Sequence, residues 1–182
     1  MAAQIIRTRF FVAVEGESEQ SFVTWLQTLS EKELRIHLDG VLLGGGGFKS
    51  MLEGAVRQHA RRCKTRGAYQ ARFLIVDEDR VEQGDWSIEK LRREAGRHKI
   101  TVCVQRPNHE GLLLRMMRVM EREISDAASA ETKLKSRWPS YRKPANAHTL
   151  GRQFSMEDLV RVATVDPDLE ILLKMIGLIG RH

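Results

Sequence analysis

Between residues 7 and 105, short apolar runs alternate with amphipathic helical stretches, and few folds accommodate that order. Residues 7–14 end in Phe10-Phe11-Val12-Ala13-Val14, a run suited to a buried strand. Residues 18–29 carry Phe22, Val23, Leu26 and Leu29 at helical spacing. Residues 33–43 read as extended, with Leu34, Ile36 and Leu38 alternating on one face, and the glycines at 44–47 break that strand. Phe48, Leu52, Val56 and Cys63 then mark one face of a second helix ending near Gly67. Residues 70–76 and 99–104 read as two further strands. Between them, a helix carrying Ile88, Leu91 and Ala95 is expected, capped by Asp85 and stopped by Gly96. Strands separated by helices imply parallel crossover units. The expectation is therefore an α/β protein with a mostly parallel sheet of about four strands, flanked by helices.

From Asn108 onward the strands stop. Leu112, Leu113, Met116, Met117, Met120 and Ile124 predict one helix, its methionine stripe read as core. Residues 125–154 are polar, basic and weakly patterned, and read as loop. Ser155 with Asp158 resembles a capping box ahead of Leu159 and Val160, and Asp166-Pro167 is expected to open a last helix. The organisation expected is a single domain: an α/β core over residues 1–124, with a basic, helical C-terminal portion, 125–182, packed on it. The apolar end of that portion, residues 175–179, suits a homo-oligomer interface as well as a core.

No stretch approaches the ~18 apolar residues of a membrane span, and the first residues lack a signal-peptide layout. Two cysteines, Cys63 and Cys103, supply neither a disulfide framework nor a four-cysteine metal site, and both read as small buried residues. A reducing, cytoplasmic setting follows as the simplest reading, with no membrane partner. The net charge is +6. Residues 1–91 hold 13 basic and 13 acidic side chains, residues 92–182 hold 17 and 11, so the whole excess lies in the second half. Such asymmetry points to a polyanionic partner such as RNA or DNA, or else to solvated helix faces.

Two acidic clusters end strands. The first strand runs into Glu15-Gly16-Glu17-Ser18-Glu19, the third into Asp77-Glu78-Asp79-Arg80. In an open parallel sheet the carboxyl ends of strands line the ligand crevice. If the two strands are neighbours, Glu15, Asp77 and Asp79 converge. At ~4 Å and an effective dielectric of ~20, each pair of carboxylates repels by about 4 kcal/mol. Protonation or a bound cation relieves this, and oxygen donors without His or Cys favour Mg²⁺ or Mn²⁺. The plainer reading is that these acids cap helices or solvate loops.

Glu15-x-x-x-Glu19 followed by Asp77-x-Asp79 resembles the Toprim signature, found in topoisomerases, bacterial primases, OLD-family nucleases and small RNA-processing nucleases. Within that superfamily the EGxxE form followed by Phe22 is similar to the RloB-like proteins, which are associated with restriction and phage-defence loci. Pro107-x-x-Glu110 before Leu112-Leu113-Leu114 and the stretch Trp138-Pro139, Tyr141-Arg142-Lys143 are similar to further segments of those proteins. The resemblance spans about residues 8–145. It implies a Toprim-like fold, metal-site acids at Glu15, Asp77 and Asp79, a proton-transfer role for Glu15, and a catalytic place for Glu110. A glutamate in the first turn of a helix also complements the helix dipole. The chain departs from the family at Ser18, where Thr is usual, and at Leu112 and Arg115, where Trp and His are usual.

Glycines 44–47 before Phe48-Lys49-Ser50 do not make a P-loop, because Phe48 stands where the pattern needs Gly. They form either a phosphate-approach loop or a plain one. Lys133, Lys135, Arg137, Arg142 and Lys143, interleaved with Trp138 and Tyr141, form a candidate nucleic-acid contact, with cations for phosphates and rings for bases. The histidines lie at no metal-ligand spacing; His59 reads as core, and His109, beside Glu110, is a candidate general acid. The function expected is metal-dependent cleavage of RNA or DNA, in a bacterial defence or restriction setting. The alternatives are a non-catalytic sensor or regulatory subunit joined to a defence partner protein, and an enzyme of small phosphate compounds.

Overall fold

The structure, a computed structural model, describes residues 7–31, 34–79, 86–123 and 125–180. Arg80, Asp85, Ile124 and His182 lie outside the described residues. Four strands, β1 (Thr8–Val14), β2 (Ile36–Leu42), β3 (Ala71–Asp77) and β4 (Thr101–Gln105), form one sheet in the order β2-β1-β3-β4. All three pairings are parallel, with Val14 opposite Leu42 on one side and Ile75 on the other. The fold is thus α/β with an all-parallel sheet. Its strand order reverses between β1 and β3, and that is where an open sheet of this kind leaves a crevice.

Side-chain alternation sends each strand's residues to two apolar layers. Phe11, Ala13, Leu74 and Val76 pack with α2 (Phe48–Arg66) and α3 (Ile88–Arg97). Phe10, Val12, Val14, Phe73 and Ile75 pack with α1 (Glu17–Glu31) and with the helices that follow β4. Those helices are α4 (His109–Met116), α5 (Ala127–Arg137), α6 (Ala147–Gln153), α7 (Met156–Ala163) and α8 (Pro167–Ile176). Leu134, Trp138, Tyr141, Leu150 and Phe154 belong to the same apolar cluster as the β1 and β3 residues, so one core continues from the sheet into the C-terminal helices. Among the described residues no helix is long and apolar enough to cross a membrane.

Several local expectations need correction. Ser87 is the N-cap of α3, its hydroxyl accepting from the Lys90 amide at 3.2 Å, and Gly96 lies inside that helix. The α3–β4 turn instead places Lys99 in the left-handed region at φ 55°. Helix α4 stops at Met116, where Met117 turns extended at ψ 142°. Met117 and Met120 still pack on the core, but from the following turn rather than from the helix. The segment read as loop holds α5 and α6, whose N-caps Asp126 and Asn146 accept from the Ser129 and Thr149 amides. Helix α5 buries only Ala130 and Leu134, too sparse an apolar stripe to stand out in the sequence. The Ser155–Asp158 capping box and the Asp166-Pro167 start of α8 are present as read. At the end of α8, Ile176 is buried and Met175 is exposed.

Candidate functional site

The carboxyl ends of β1 and β3 lie side by side, and the acids that follow them meet there. Glu15 leaves β1 and is 6% exposed. Glu19 stands in the first turn of α1, 5% exposed, its Oε2 accepting from the Gly16 amide at 2.8 Å. Asp77 ends β3 and Asp79 follows it, anchored by its own amide donating to the Pro107 carbonyl at 3.0 Å. Glu110, 1% exposed, sits in the first turn of α4 behind the Asn108 N-cap, whose Oδ1 accepts from the Gly111 amide at 3.0 Å.

Asp77 is the centre of this cluster. Burial first, then the charges of Glu19, Asp79, Glu15 and Glu110, push its carboxyl up to about 9. Asp77 Oδ1 and Asp79 Oδ1 are shut off from solvent and meet no hydrogen-bond donor among the described residues. Buried carboxylate oxygens in that condition are costly, and a hard divalent cation is the partner their chemistry fits. Among the described residues no three potential ligands already stand around one point.

One ammonium faces the acids. Lys143 Nζ lies 2.8 Å from Glu110 Oε1, and the Tyr141 hydroxyl donates to the same oxygen at 2.9 Å. Burial opposes the Glu110 charge, but these two partners outweigh it and hold the carboxyl below its usual range. A protonated His109 would add to this, yet burial lowers the pKa of that ring and keeps it neutral. Burial likewise opposes the Lys143 charge, while Glu110, with Asp77 further off, raises its pKa. The Tyr141 hydroxyl is raised well above its usual value by burial and by Glu110, so it remains a donor. His109 is 1% exposed, with Nδ1 3.3 Å from Gln105 Oε1 and its ring edge-on to Phe22, which places it in the core rather than at a solvent-fed proton path.

The basic segment divides. Lys143 joins the acid cluster, whereas Lys133 pairs with Glu123 at 2.5 Å and Lys135 with Glu131 at 2.6 Å on the surface. Arg137 is exposed on α5, and Arg142 donates to the Pro139 and Tyr141 carbonyls. Trp138 and Tyr141 are 6% and 0% exposed, their rings tilted against each other with centroids 5.2 Å apart in the core, so neither offers a face to a base. Cys63 also departs from its reading: it is partly exposed, with Sγ 3.1 Å from His59 Nε2, and His59 is partly exposed beside Phe11 and Tyr69.

Two residues of the site were named in the sequence only within motifs and not assigned to the acid cluster. Glu19 had a signal, since four residues on from Glu15 and three on from the α1 N-cap it faces back over the strand end. Tyr141 had none, because its hydroxyl reaches Glu110 only through tertiary packing. Gly111 is a third requirement. A Cβ there would stand 2.4 Å from Pro107 Cδ and 2.7 Å from the Arg106 carbonyl oxygen. Gly111→Ala is expected to cost about 2 kcal/mol through overpacking, measured by urea denaturation, and to displace Glu110 with the start of α4.

Comparison with protein-family models, curated proteins and solved structures gave no match. The function must be argued from the site.

Proposed function

We propose that the chain is a metal-dependent nuclease that cleaves phosphodiester bonds of RNA or DNA, acting in bacterial phage defence or restriction. The observation that carries the reading is the gathering of Glu15, Glu19, Asp79 and Glu110 around Asp77 at the sheet's reversal point, with Lys143 beside them. The setting in defence rests on the likeness to RloB-like sequences alone.

Glu15, Asp77 and Asp79 would hold Mg²⁺ or Mn²⁺, with Glu19 within reach. The ion supplies Lewis-acid stabilisation of phosphoryl and leaving oxygens. The protein's own groups do the rest. Lys143, 52% exposed along its side chain, extends a positive charge from the Glu110 anchor toward the crevice, where a scissile phosphate needs one. Tyr141 and Glu110 fix that ammonium in place. Lys143→Met is expected to lower single-turnover cleavage about 10²–10³-fold, the usual effect of deleting one electrostatic donor, with the fold kept. Lys143→Arg should restore part of it.

The deciding experiment incubates wild type and Asp77→Asn with labelled single-stranded RNA, tRNA, single-stranded DNA and duplex DNA, each in Mg²⁺, Mn²⁺ and EDTA. Metal-dependent cutting that disappears in the variant supports the nuclease and names its substrate. Cutting that survives Asp77→Asn sinks the assignment of these acids. No cutting of any substrate by folded wild type favours the regulatory-subunit reading.

A further inference from the structure

Behind the acid cluster lies a cavity of about 540 Å³ that the sequence reading did not anticipate. Glu78, the residue between Asp77 and Asp79, forms part of its wall, as do Arg106 and the Pro107 whose carbonyl anchors Asp79. The cavity continues into a second hollow of about 550 Å³, with Glu121, Arg122, Glu123 and Val165 common to both. The combined groove therefore starts at the β3 end and leads outward past the turn after α4.

Its chemistry is set by arginines. Arg115 lines it although the residue is only 8% exposed. Arg115 Nη2 donates to Asp166 Oδ2 at 2.6 Å, while its buried Nε meets no acceptor among the described residues. Arg122 is exposed on the wall and has no ion-pair partner among the described residues. The carboxylates on the same wall are already engaged: Glu78 with Arg106 at 3.3 Å, Glu121 with Arg161, and Glu123 with Lys133 at 2.5 Å. The other arginines of the groove are engaged as well, Arg106 with Asp168 and Arg115 with Asp166, so among the described residues Arg122 is the uncommitted guanidinium there, the group best shaped to bind phosphate oxygens in pairs.

We propose that this groove is the docking track for the substrate strand, with Arg122 binding a phosphate that flanks the bond cut at the acid cluster. The inference rests on the nuclease reading and deepens it. It moves the main backbone contact away from Lys133, Lys135 and Arg137 on α5, where the two lysines are paired with glutamates. Binding through the groove is a matter of phosphate charge rather than base identity, so its signature is salt dependence.

The test is made in EDTA on the Asp77→Asn protein, where cutting cannot interfere. Fluorescence anisotropy measures the affinity of short labelled single-stranded RNA and DNA across a salt series. Arg122→Gln is expected to weaken binding several-fold and to reduce the slope of log K against log salt by about 0.7, the value for one single-strand phosphate contact. Arg57→Gln, exposed on α2 across the sheet, serves as the control and should leave both quantities alone. Parent-like affinity and slope in Arg122→Gln overturn the docking track and leave the nuclease standing. Failure of the parent and of wild type to bind either strand overturns the nuclease reading, and the track with it.

Discussion

Asp77→Asn is expected to abolish cleavage and, in the same protein, to raise the melting temperature of the metal-free form. The first effect follows from removing a carboxylate that would hold the ion. Losing ~4 kcal/mol of transition-state stabilisation corresponds to about a 10³-fold slower reaction. The second follows from the crowding of Glu15, Glu19, Asp79 and Glu110 around a buried carboxyl. With its pKa pushed up to about 9, Asp77 is protonated in the folded metal-free chain at neutral pH and ionised in the unfolded one, a cost of folding that Asn does not carry. With water and side-chain relaxation absorbing part of that, about 2 kcal/mol is expected, or roughly 5 °C in a chain of this size.

The pH dependence makes the origin of this gain testable. Asp77 titrates near 9 in the folded chain and from 3.8 when unperturbed, so between those values the native state holds one more proton than the unfolded state. Stability of the metal-free wild type therefore falls as pH rises through that window. Asn cannot ionise, so the gap between variant and wild type should widen from acid to alkaline pH. Mg²⁺ should stabilise wild type and leave Asp77→Asn almost unmoved. Scanning calorimetry at several pH values, with and without Mg²⁺, reads all of this. A variant less stable than wild type at alkaline pH would mean that the carboxylates are not in conflict.

Asp166→Ala carries the largest expected cost in stability. Asp166, 3% exposed, caps α8 by accepting from the Asp168 and Leu169 amides at 3.1 and 3.0 Å. Its other oxygen holds Arg115 at 2.6 Å. Losing a cap costs ~1 kcal/mol, and stranding the partner of a buried ion pair costs about 3–5 kcal/mol. A total of about 4–6 kcal/mol lowers the melting temperature by roughly 8–24 °C. Asp166→Asn keeps an oxygen for the cap and should fall between. A loss near 1 kcal/mol in Asp166→Ala, the size of the cap alone, would mean that Arg115 is solvated through the adjoining groove.

The residues of the acid cluster differ in how readable they were. Glu15, Asp77 and Asp79 end apolar runs, and the end of a parallel strand is a place defined by local pattern. Lys143 was read as one of five cations in a basic stretch, and nothing within that stretch separates it from Lys135. The separation is made by Tyr141, whose burial pulls Lys143 onto Glu110 while Lys135 stays on a surface helix. Trp138 misled for the same reason: beside cations it suggests base stacking, yet Phe154, sixteen positions on, packs edge-on against it in the core. Arg115 and Arg122 gave no sign, because a groove needs walls from β3, α4 and the turn before α8.

Strand and helix order in this chain is written in short-range periodicity, as are the caps at Ser155 and Asp166 and the acids that close β1 and β3. Those features depend on neighbours a few residues away, so the amino-acid order alone specifies them. The sheet order β2-β1-β3-β4, which puts Glu15 next to Asp77, was not specified in that way. Neither were the pairing of Lys143 with Glu110 or the arginine groove behind Pro107. Each joins segments tens of residues apart, and only burial of both faces of the sheet, in an apolar layer on either side, decides which of them meet.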